Sequence, residues 1–150
     1  MAQTTGATTA RAATVGYSSD GSSWTDISGF AMAVTGASQD RMSGEVYTFD
    51  GDTAIIGAGK REPMEIEISY VYTEGGSDPF EVLRPIYEAA TAYYFRWTVK
   101  AATTGNFRFT TPACYITSFG YPEIEAENAG DPVPGSLTIR PGYVTKAAAP

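Results

Sequence analysis

The chain has 150 residues, 43% of them hydrophobic, and its 17 acidic against 10 basic residues give a formal net charge of −7. This composition excludes a disordered chain and predicts one domain, residues 1–150, with a substantial core. Histidine is absent and Cys114 is the only cysteine, which excludes histidine-based nucleophilic catalysis and the usual zinc sites; the acidic balance disfavours a protein that grips nucleic acid.

The N-terminal stretch is small and polar and is predicted to be a flexible arm over residues 1–11. It lacks the basic start and apolar centre of a signal peptide, and no apolar run in the chain approaches the length of a membrane span. We therefore expect a soluble protein that is made in the cytoplasm.

Short strands are predicted at residues 13–17, 24–27 and 29–35, with Asp20-Gly21 as the turn of the first hairpin. The next segment, residues 36–61, is one long excursion between two core strands. Within it, residues 45–49 and 53–56 are predicted to form a small hairpin about Asp50-Gly51. Loops of this length are usually functional, so we expect this one to contact something outside its own domain.

The stretch EPMEIEISYVYTE, residues 62–74, alternates apolar and polar residues with period two and is predicted to be a strand over residues 63–73. Its apolar side carries Met64, Ile66, Ile68, Tyr70 and Tyr72. Its polar side carries Glu65, Glu67, Ser69 and Thr73. The apolar side needs a core, whereas the acidic side must face water, a ligand or the inside of an assembly.

One short helix is predicted after this strand. Asp78 is a plausible N-cap, Pro79 fits the first helical position, and Glu81 completes a capping box. Pro85 removes a backbone hydrogen bond to Glu81, so the helix is expected to be kinked or broken there.

The last third of the chain is predicted to return to strands. These lie at residues 93–100, 107–110, 113–119 and 137–144. The segment YPEIEAE, residues 121–127, repeats the acidic alternation, with Glu123, Glu125 and Glu127 on one side. Residues 145–150 are predicted to be a frayed C-terminal tail. The fold class is therefore mainly β, an antiparallel sandwich or barrel with one short helix packed on a sheet.

No catalytic constellation emerges from the sequence. Paired acids on one strand are more typical of a solvated face than of a glycosidase, and Asp50 and Asp52 lack the further ligands of a calcium loop. The stretch GAGK lacks the full phosphate-loop pattern, and Cys114 lies in an apolar stretch typical of a buried thiol. We expect neither an enzyme nor a bound cofactor or metal.

Four aromatic residues leave a second interpretation open. Tyr17, Trp24, Tyr47 and Tyr94 would suit a sugar-binding platform, although strands favour aromatic residues for packing alone. The alternative function is accordingly a monomeric carbohydrate- or protein-binding β-sandwich, for example a decoration domain on a virion.

The order of several segments resembles that of a known family. These are WTDISG, GEVYTFDGD, PMEIEISYVYTE, DPFEVLRPIYEA, YYFRWTVK and CYITSFGYPE. Together, over about residues 13–144, they resemble a major tail (tail tube) protein of a long-tailed bacteriophage. Related rings of contractile injection machines share these features, and the sequence does not separate the two.

The resemblance implies a structural virion protein whose hexameric rings stack into a hollow tube. Each subunit would contribute strands to a continuous β-barrel around the lumen, with its helix outside the barrel. The tube would form in the host cytoplasm around a tape measure protein and join tail terminator and tail tip proteins. Viral DNA would later pass through the lumen during ejection without specific binding, and no membrane is involved.

The resemblance also assigns candidate surfaces. The acidic residues would line the lumen, with Glu65, Glu67, Ser69, Glu123 and Glu125 as candidates. The apolar side of the same strand would pack under the helix. The loop 36–61 would stack on the neighbouring ring, with Asp40, Arg41, Glu45, Asp50, Asp52, Lys60 and Arg61 as candidate contacts.

Overall fold

A computed structural model describes residues 7–150, so residues 1–6 of the predicted N-terminal arm lie outside the described part. The strands are β1 (Thr14–Ser18), β2 (Thr25–Asp26), β3 (Ala31–Thr35), β4 (Arg41–Val46), β5 (Ile55–Arg61), β6 (Ile66–Val71), β7 (Tyr94–Thr98), β8 (Phe107–Thr110), β9 (Ile116–Gly120), β10 (Pro134–Ile139) and β11 (Thr145–Ala148). One α-helix, α1 (Pro79–Glu88), and a 3₁₀ turn, Ala126–Asn128, complete the described elements.

The strands form two main sheets and a separate hairpin. A five-stranded sheet has the order β11-β8-β7-β1-β2, and a four-stranded sheet has the order β3-β6-β10-β9. Strands β4 and β5 pair only with each other. Every strand pair is antiparallel, which confirms the predicted fold class.

The core lies between the two sheets, and β6 provides its centre. Ile66, Ile68 and Tyr70 are each 0% exposed, as their period-two spacing predicts. Across the sheet, Ile68 is opposite Leu137 of β10, and both are buried with Phe95 from the five-stranded sheet. The predicted apolar face of β6 is therefore confirmed as a core face.

Helix α1 begins at the predicted residue, but the predicted capping box is not formed, because the Asp78 amide donates to the Gly75 carbonyl at 2.9 Å and Glu81 pairs with Arg84. Asp78 is its N-cap, and the carboxylate accepts a hydrogen bond from the Phe80 backbone amide at 2.8 Å. The predicted break at Pro85 is wrong, because the helix continues through this residue to Glu88. Proline removes only one intrahelical bond, and the packing of Phe80 against Phe119 of β9 holds the helix on the sheet.

The C-terminus is a strand rather than a frayed tail. Thr145 to Ala148 pair with β8, and the Ala149 amide donates a hydrogen bond to the Asn106 carbonyl at 2.7 Å. Ala149 is buried. The small residues TKAA carry little sequence signal for a strand, and the free edge of β8 supplies the pairing that orders them.

Candidate functional site

The outward face of the four-stranded sheet is polar and rich in hydroxyl groups. Glu67 lies at its centre, directly between Thr35 of β3 and Thr138 of β10. Ser69 lies opposite Ser136 in the next row. Because side chains alternate between faces, these residues all point away from the core. Glu67 is exposed and Ser69 is half-buried, so the predicted polar face of β6 is confirmed.

This face is less acidic than the sequence predicts. Arg140, the residue after β10, lies beside Glu65, the residue before β6, with 3.9 Å between Nε and Oε1. Both side chains are more than half exposed, so the pair contributes little to stability. It nevertheless places one cation against one of the two carboxylates, which leaves Glu67 as the carboxylate nearest the centre of the sheet.

Glu123 and Glu125 do not lie on this face. The acidic alternation over residues 121–127 does not form a strand face, because this segment is an irregular loop that ends in the 3₁₀ turn. The β9–β10 loop meets the sheet where β10 begins opposite Val71, whereas Glu65 precedes the other end of β6. The two groups of candidate acids therefore lie at opposite ends of the sheet.

The β9–β10 loop encloses a concavity of about 770 Å³. Glu123, Glu125 and Asp131 line it together with Val133 and Pro134. Ile124 is almost fully exposed at its margin. The loop thus presents acidic and apolar side chains together at the end of the sheet.

The predicted long loop contains a projecting hairpin, which we call the arm and define as residues 41–61. Its two strands have no buried side chain. The arm carries a set of large exposed apolar side chains: Met42, Val46, Tyr47, Phe49, Ile55 and Ile56. Monomeric soluble proteins rarely concentrate so many in one element, so the arm has the composition of an interaction surface.

The base of the arm is fixed to the domain and is basic. Gln39 donates its side-chain amide to the carbonyls of Glu62 and Gly142, at 3.0 and 2.7 Å. Arg41 lies opposite Arg61 across the hairpin. Lys60 precedes Arg61 on β5, so the base of the arm carries three cations.

The tip of the arm, residues 47–54, is acidic and aromatic. Asp50 and Asp52 flank Gly51 there and are exposed, while Glu45 lies on β4 opposite Ile56. Asp40 precedes the arm, and its carbonyl accepts a hydrogen bond from the Glu62 amide at 2.9 Å. The candidate stacking residues are thus split between a basic base and an acidic tip.

A basic surface on the five-stranded sheet was not predicted from the sequence. The Arg96 guanidinium lies 4.2 Å from the centre of the Trp24 ring, a cation–π contact. Burial lowers the pKa of Arg96, and the nearby Arg108 lowers it further. The alternation of β7 and β8, in which Arg96 lies opposite Thr110 and Arg108 opposite Thr98, was the signal that could have revealed this face.

The four candidate aromatic residues do not form one platform. Tyr17 lies opposite Phe95 on the inward side of its sheet, whereas Tyr94 lies opposite Ser18 on the other side. Trp24 contacts Arg96, and Tyr47 belongs to the arm. This geometry gives no support to the sugar-binding alternative.

Cys114 is buried, as predicted, and its thiol donates to the Tyr93 carbonyl at 3.6 Å. Burial raises the pKa of this thiol, which disfavours the reactive thiolate.

Within residues 7–150, no group of three or more potential metal ligands is placed to hold an ion. Over the same residues, no helix is long and apolar enough to cross a membrane.

Comparison with known proteins finds matches only among solved structures. No family model matches the sequence, and no curated protein matches it. A chain of the extended sheath–tube complex of PVC, an extracellular contractile injection system, is 12% identical with a TM-score of 0.73, covering 98% of this chain and 99% of that one. A chain from the anti-feeding prophage tube-terminating cap is 15% identical with a TM-score of 0.71, covering 99% and 95%.

Tails also contain this fold. A chain from the tail of an empty GTA particle with C6 symmetry is 18% identical, with a TM-score of 0.65 and coverage of 98% and 100%. A chain of the SPP1 tail tube is 17% identical, with a TM-score of 0.57 and coverage of 91% and 76%. The structure therefore has the tail-tube fold, as the resemblance to tail tube proteins implies.

Proposed function

We propose that this chain is the structural subunit of a hollow tail tube, in which hexameric rings stack into a conduit for DNA. The arm carries the proposal, because it projects with its apolar side chains uncovered. An isolated two-stranded hairpin is marginally stable in water, so packing against another subunit would stabilise it. The match to a chain of a sheath–tube complex over nearly the full length supports this role.

The sheet edges support the proposed ring closure. Strands β3 and β9 are the edges of the four-stranded sheet, and each leaves backbone groups free to pair with another chain. A closed ring of six copies would join these edges, and one tail with this fold has C6 symmetry. The outward face around Glu67 would then line the lumen, where hydroxyl groups and the Glu67 carboxylate do not bind phosphate and the cation Arg140 is paired with Glu65.

Partners and location follow from the same proposal. The tube would form in the host cytoplasm around a tape measure protein and join terminator and tip proteins in the virion tail. Its role is structural rather than enzymatic. Chains with this fold occur in a sheath–tube complex and in the SPP1 tail tube. The proposal applies to the tube itself, whether or not a sheath surrounds it.

The test is assembly of the purified protein. We expect rings or open tubes by negative-stain electron microscopy, and light scattering that rises above a critical protein concentration. Addition of a short tape measure segment is expected to lower that concentration. A monomer under all of these conditions that instead binds glycans or capsid would contradict the proposal and favour a decoration domain.

Replacing Glu67 with lysine is expected to leave tube assembly intact and to slow DNA release several-fold. The change would place a lysine from every subunit around the lumen, where cations bind phosphate. The slowing should weaken as salt rises from about 50 to about 200 mM, because such contacts are salt-dependent. Release from purified virions is the measurement.

Glu88→Lys is the matched control, since Glu88 is an exposed acid at the end of α1 and the charge change is identical. Equal release by the Glu67→Lys and Glu88→Lys virions would exclude the lumen assignment of this face.

A further inference from the structure

An apolar groove opens beside the edge strand of the four-stranded sheet. It has a volume of about 450 Å³ and lies between β3 and strands β1 and β7 of the other sheet. Arg11, Val15, Ala31, Val34, Trp97 and Val99 line it. A register shift between Ala31 and Ala33 interrupts the pairing of β3, and Met32, at the shift, is 60% exposed on the groove.

The floor of the groove is part of the core. Val15 is buried and Trp97 is half-buried against Phe109. The groove therefore exposes the interior of the sandwich along one edge, instead of being a separate surface depression. Its volume falls within the range of about 300–1,000 Å³ that is typical of binding pockets, so it would accommodate one or two large side chains.

The arm presents the complementary chemistry. Phe49 is fully exposed at the tip, and Tyr47 is also exposed there. Asp50 follows Phe49 directly, and Asp52 follows after Gly51. An aromatic side chain followed by two carboxylates matches an apolar groove that has an arginine at its margin.

Charge favours this pairing over a contact with the acidic surfaces of the same domain. Arg11 is exposed on the groove and forms no salt bridge within residues 7–150. The outward face of the four-stranded sheet and the β9–β10 loop carry acids that would repel the tip. The groove thus combines an apolar surface with an unpaired cation, Arg11, which can pair with Asp50 and Asp52 of the tip.

We propose that the tip of the arm, led by Phe49, binds the groove at Met32 and Trp97 of a second copy of this chain. The proposal rests on the proposed function and names the receptor for the arm. Because the arm and the groove are different surfaces, each copy donates one contact and accepts another. Such a heterologous contact propagates from copy to copy instead of closing a pair, as a stacked tube requires.

Cysteine cross-linking tests the contact directly. A Phe49→Cys protein and a Met32→Cys protein of different tagged mass are mixed, assembled and oxidised. We expect a disulfide-linked heterodimer, with at least tenfold less dimer from either protein alone. Cys114 is buried and remains in both proteins. In the matched control, the Phe49→Cys protein is mixed with a Glu88→Cys protein, whose cysteine lies at an exposed position on α1.

The outcomes separate this proposal from the proposed function. Tubes that form without the heterodimer would overturn the groove assignment and leave the tube role intact. Failure of the wild-type chain to form tubes would overturn the tube role. In that case the disulfide-linked heterodimer, found in smaller oligomers, would still support the groove contact. Absence of the heterodimer from those oligomers would overturn the groove contact. A stronger link from Met32→Cys to Thr4→Cys of the same chain would assign the groove to the chain's own N-terminus and also overturn it.

A charge exchange gives an independent readout. Arg11→Glu is expected to raise the critical concentration for assembly about two- to fivefold, as for an exposed charge pair. Combining it with Asp50→Lys and Asp52→Lys is expected to restore assembly towards the wild-type value. An additive loss in the combined variant would overturn the pairing of Arg11 with the tip acids.

Discussion

A variant lacking residues 42–57 is expected to fold like the wild-type subunit and to form no stacked tubes. None of the buried core side chains lies between Ile27 and Met64, so the deletion removes no core packing. The register of the arm also permits clean closure. Arg41 lies opposite Arg61, so Ala58, Gly59 and Lys60 would form a three-residue hairpin loop, a common length for this connection.

The expected loss of stacking follows from the apolar area removed. The deletion takes away Met42, Val46, Tyr47, Phe49, Ile55 and Ile56, the large exposed apolar side chains of the arm. Burial of one such side chain contributes about 1.5–3 kcal/mol, so losing several between each pair of rings should abolish assembly at accessible concentrations. Electron microscopy and light scattering measure assembly, and urea unfolding checks the subunit.

A variant with Ser43→Ala and Thr53→Ala is the control, since it keeps the length and the apolar side chains of the arm and should stack normally. Full-length tubes from the deletion variant would show that the arm is dispensable for stacking. An unfolded deletion variant would instead show that the arm stabilises the domain itself.

The core faces were predictable because burial imposes a strict period on a strand. Met64, Ile66, Ile68 and Tyr70 alternate without interruption, and each is buried. Local capping chemistry was equally informative at Asp78, where one carboxylate in the right position defines a helix start. These signals lie within a few residues, and no long-range contact is needed to read them.

Alternation alone failed for the segment YPEIEAE. Glu and Ala have low strand propensity, and Pro122 lacks an amide for a strand ladder. The segment Ile116–Gly120 already pairs with β10, and the chain then leaves the sheet. Acidic alternation with Ile124 as its single β-branched residue was therefore a weak signal, and Glu123 and Glu125 lie on a loop.

The tip of the arm does not form the tight turn that its Asp50-Gly51 sequence predicts. Asp50-Gly51 predicts a tight two-residue turn, which requires a positive φ at both residues for type I′. Gly51 has a φ of 126°, whereas Asp50 is not among the residues with positive φ. The strands therefore pair closer to the base, and the tip remains an open loop that presents Phe49.

The Glu65–Arg140 ion pair could not be predicted from the sequence, for a different reason. It joins residues that are far apart in sequence and meet only through the register of β6 and β10. A one-residue slip of this register would move Arg140 away from Glu65 and reverse the faces of both strands. The charge of an assembled face is thus set by strand pairing, which a single strand does not reveal.

Replacing Asp78 with alanine is expected to destabilise the subunit by about 2–4 kcal/mol, a large part of the ~5–15 kcal/mol that holds a typical domain folded. Asp78 is 0% exposed, and its two carboxylate oxygens bind different elements. One accepts from the Phe80 amide at 2.8 Å, and the other accepts from the Thr73 amide and from the Thr73 hydroxyl at 2.9 Å. The side chain therefore ties the start of α1 to the segment that follows β6.

Loss of this link should act on the aromatic packing beneath the helix. Phe80 contacts Tyr72, Phe119 and Tyr121, with ring centres 5.5 to 5.6 Å apart. An uncapped helix start would leave the buried Phe80 amide without its acceptor and loosen these contacts. Urea unfolding followed by circular dichroism measures the change in the free energy of unfolding.

Two variants make the prediction specific. Glu81→Ala removes an exposed acid from the same helical turn and should cost less than about 0.5 kcal/mol. Asp78→Asn keeps one acceptor oxygen for the Phe80 amide but turns an amide group towards Thr73, so its stability should lie between those of Asp78→Ala and the wild type. Equal stability of the Asp78→Ala and Glu81→Ala variants would mean that the helix is held by packing alone, and that the cap predicted from the sequence is energetically minor.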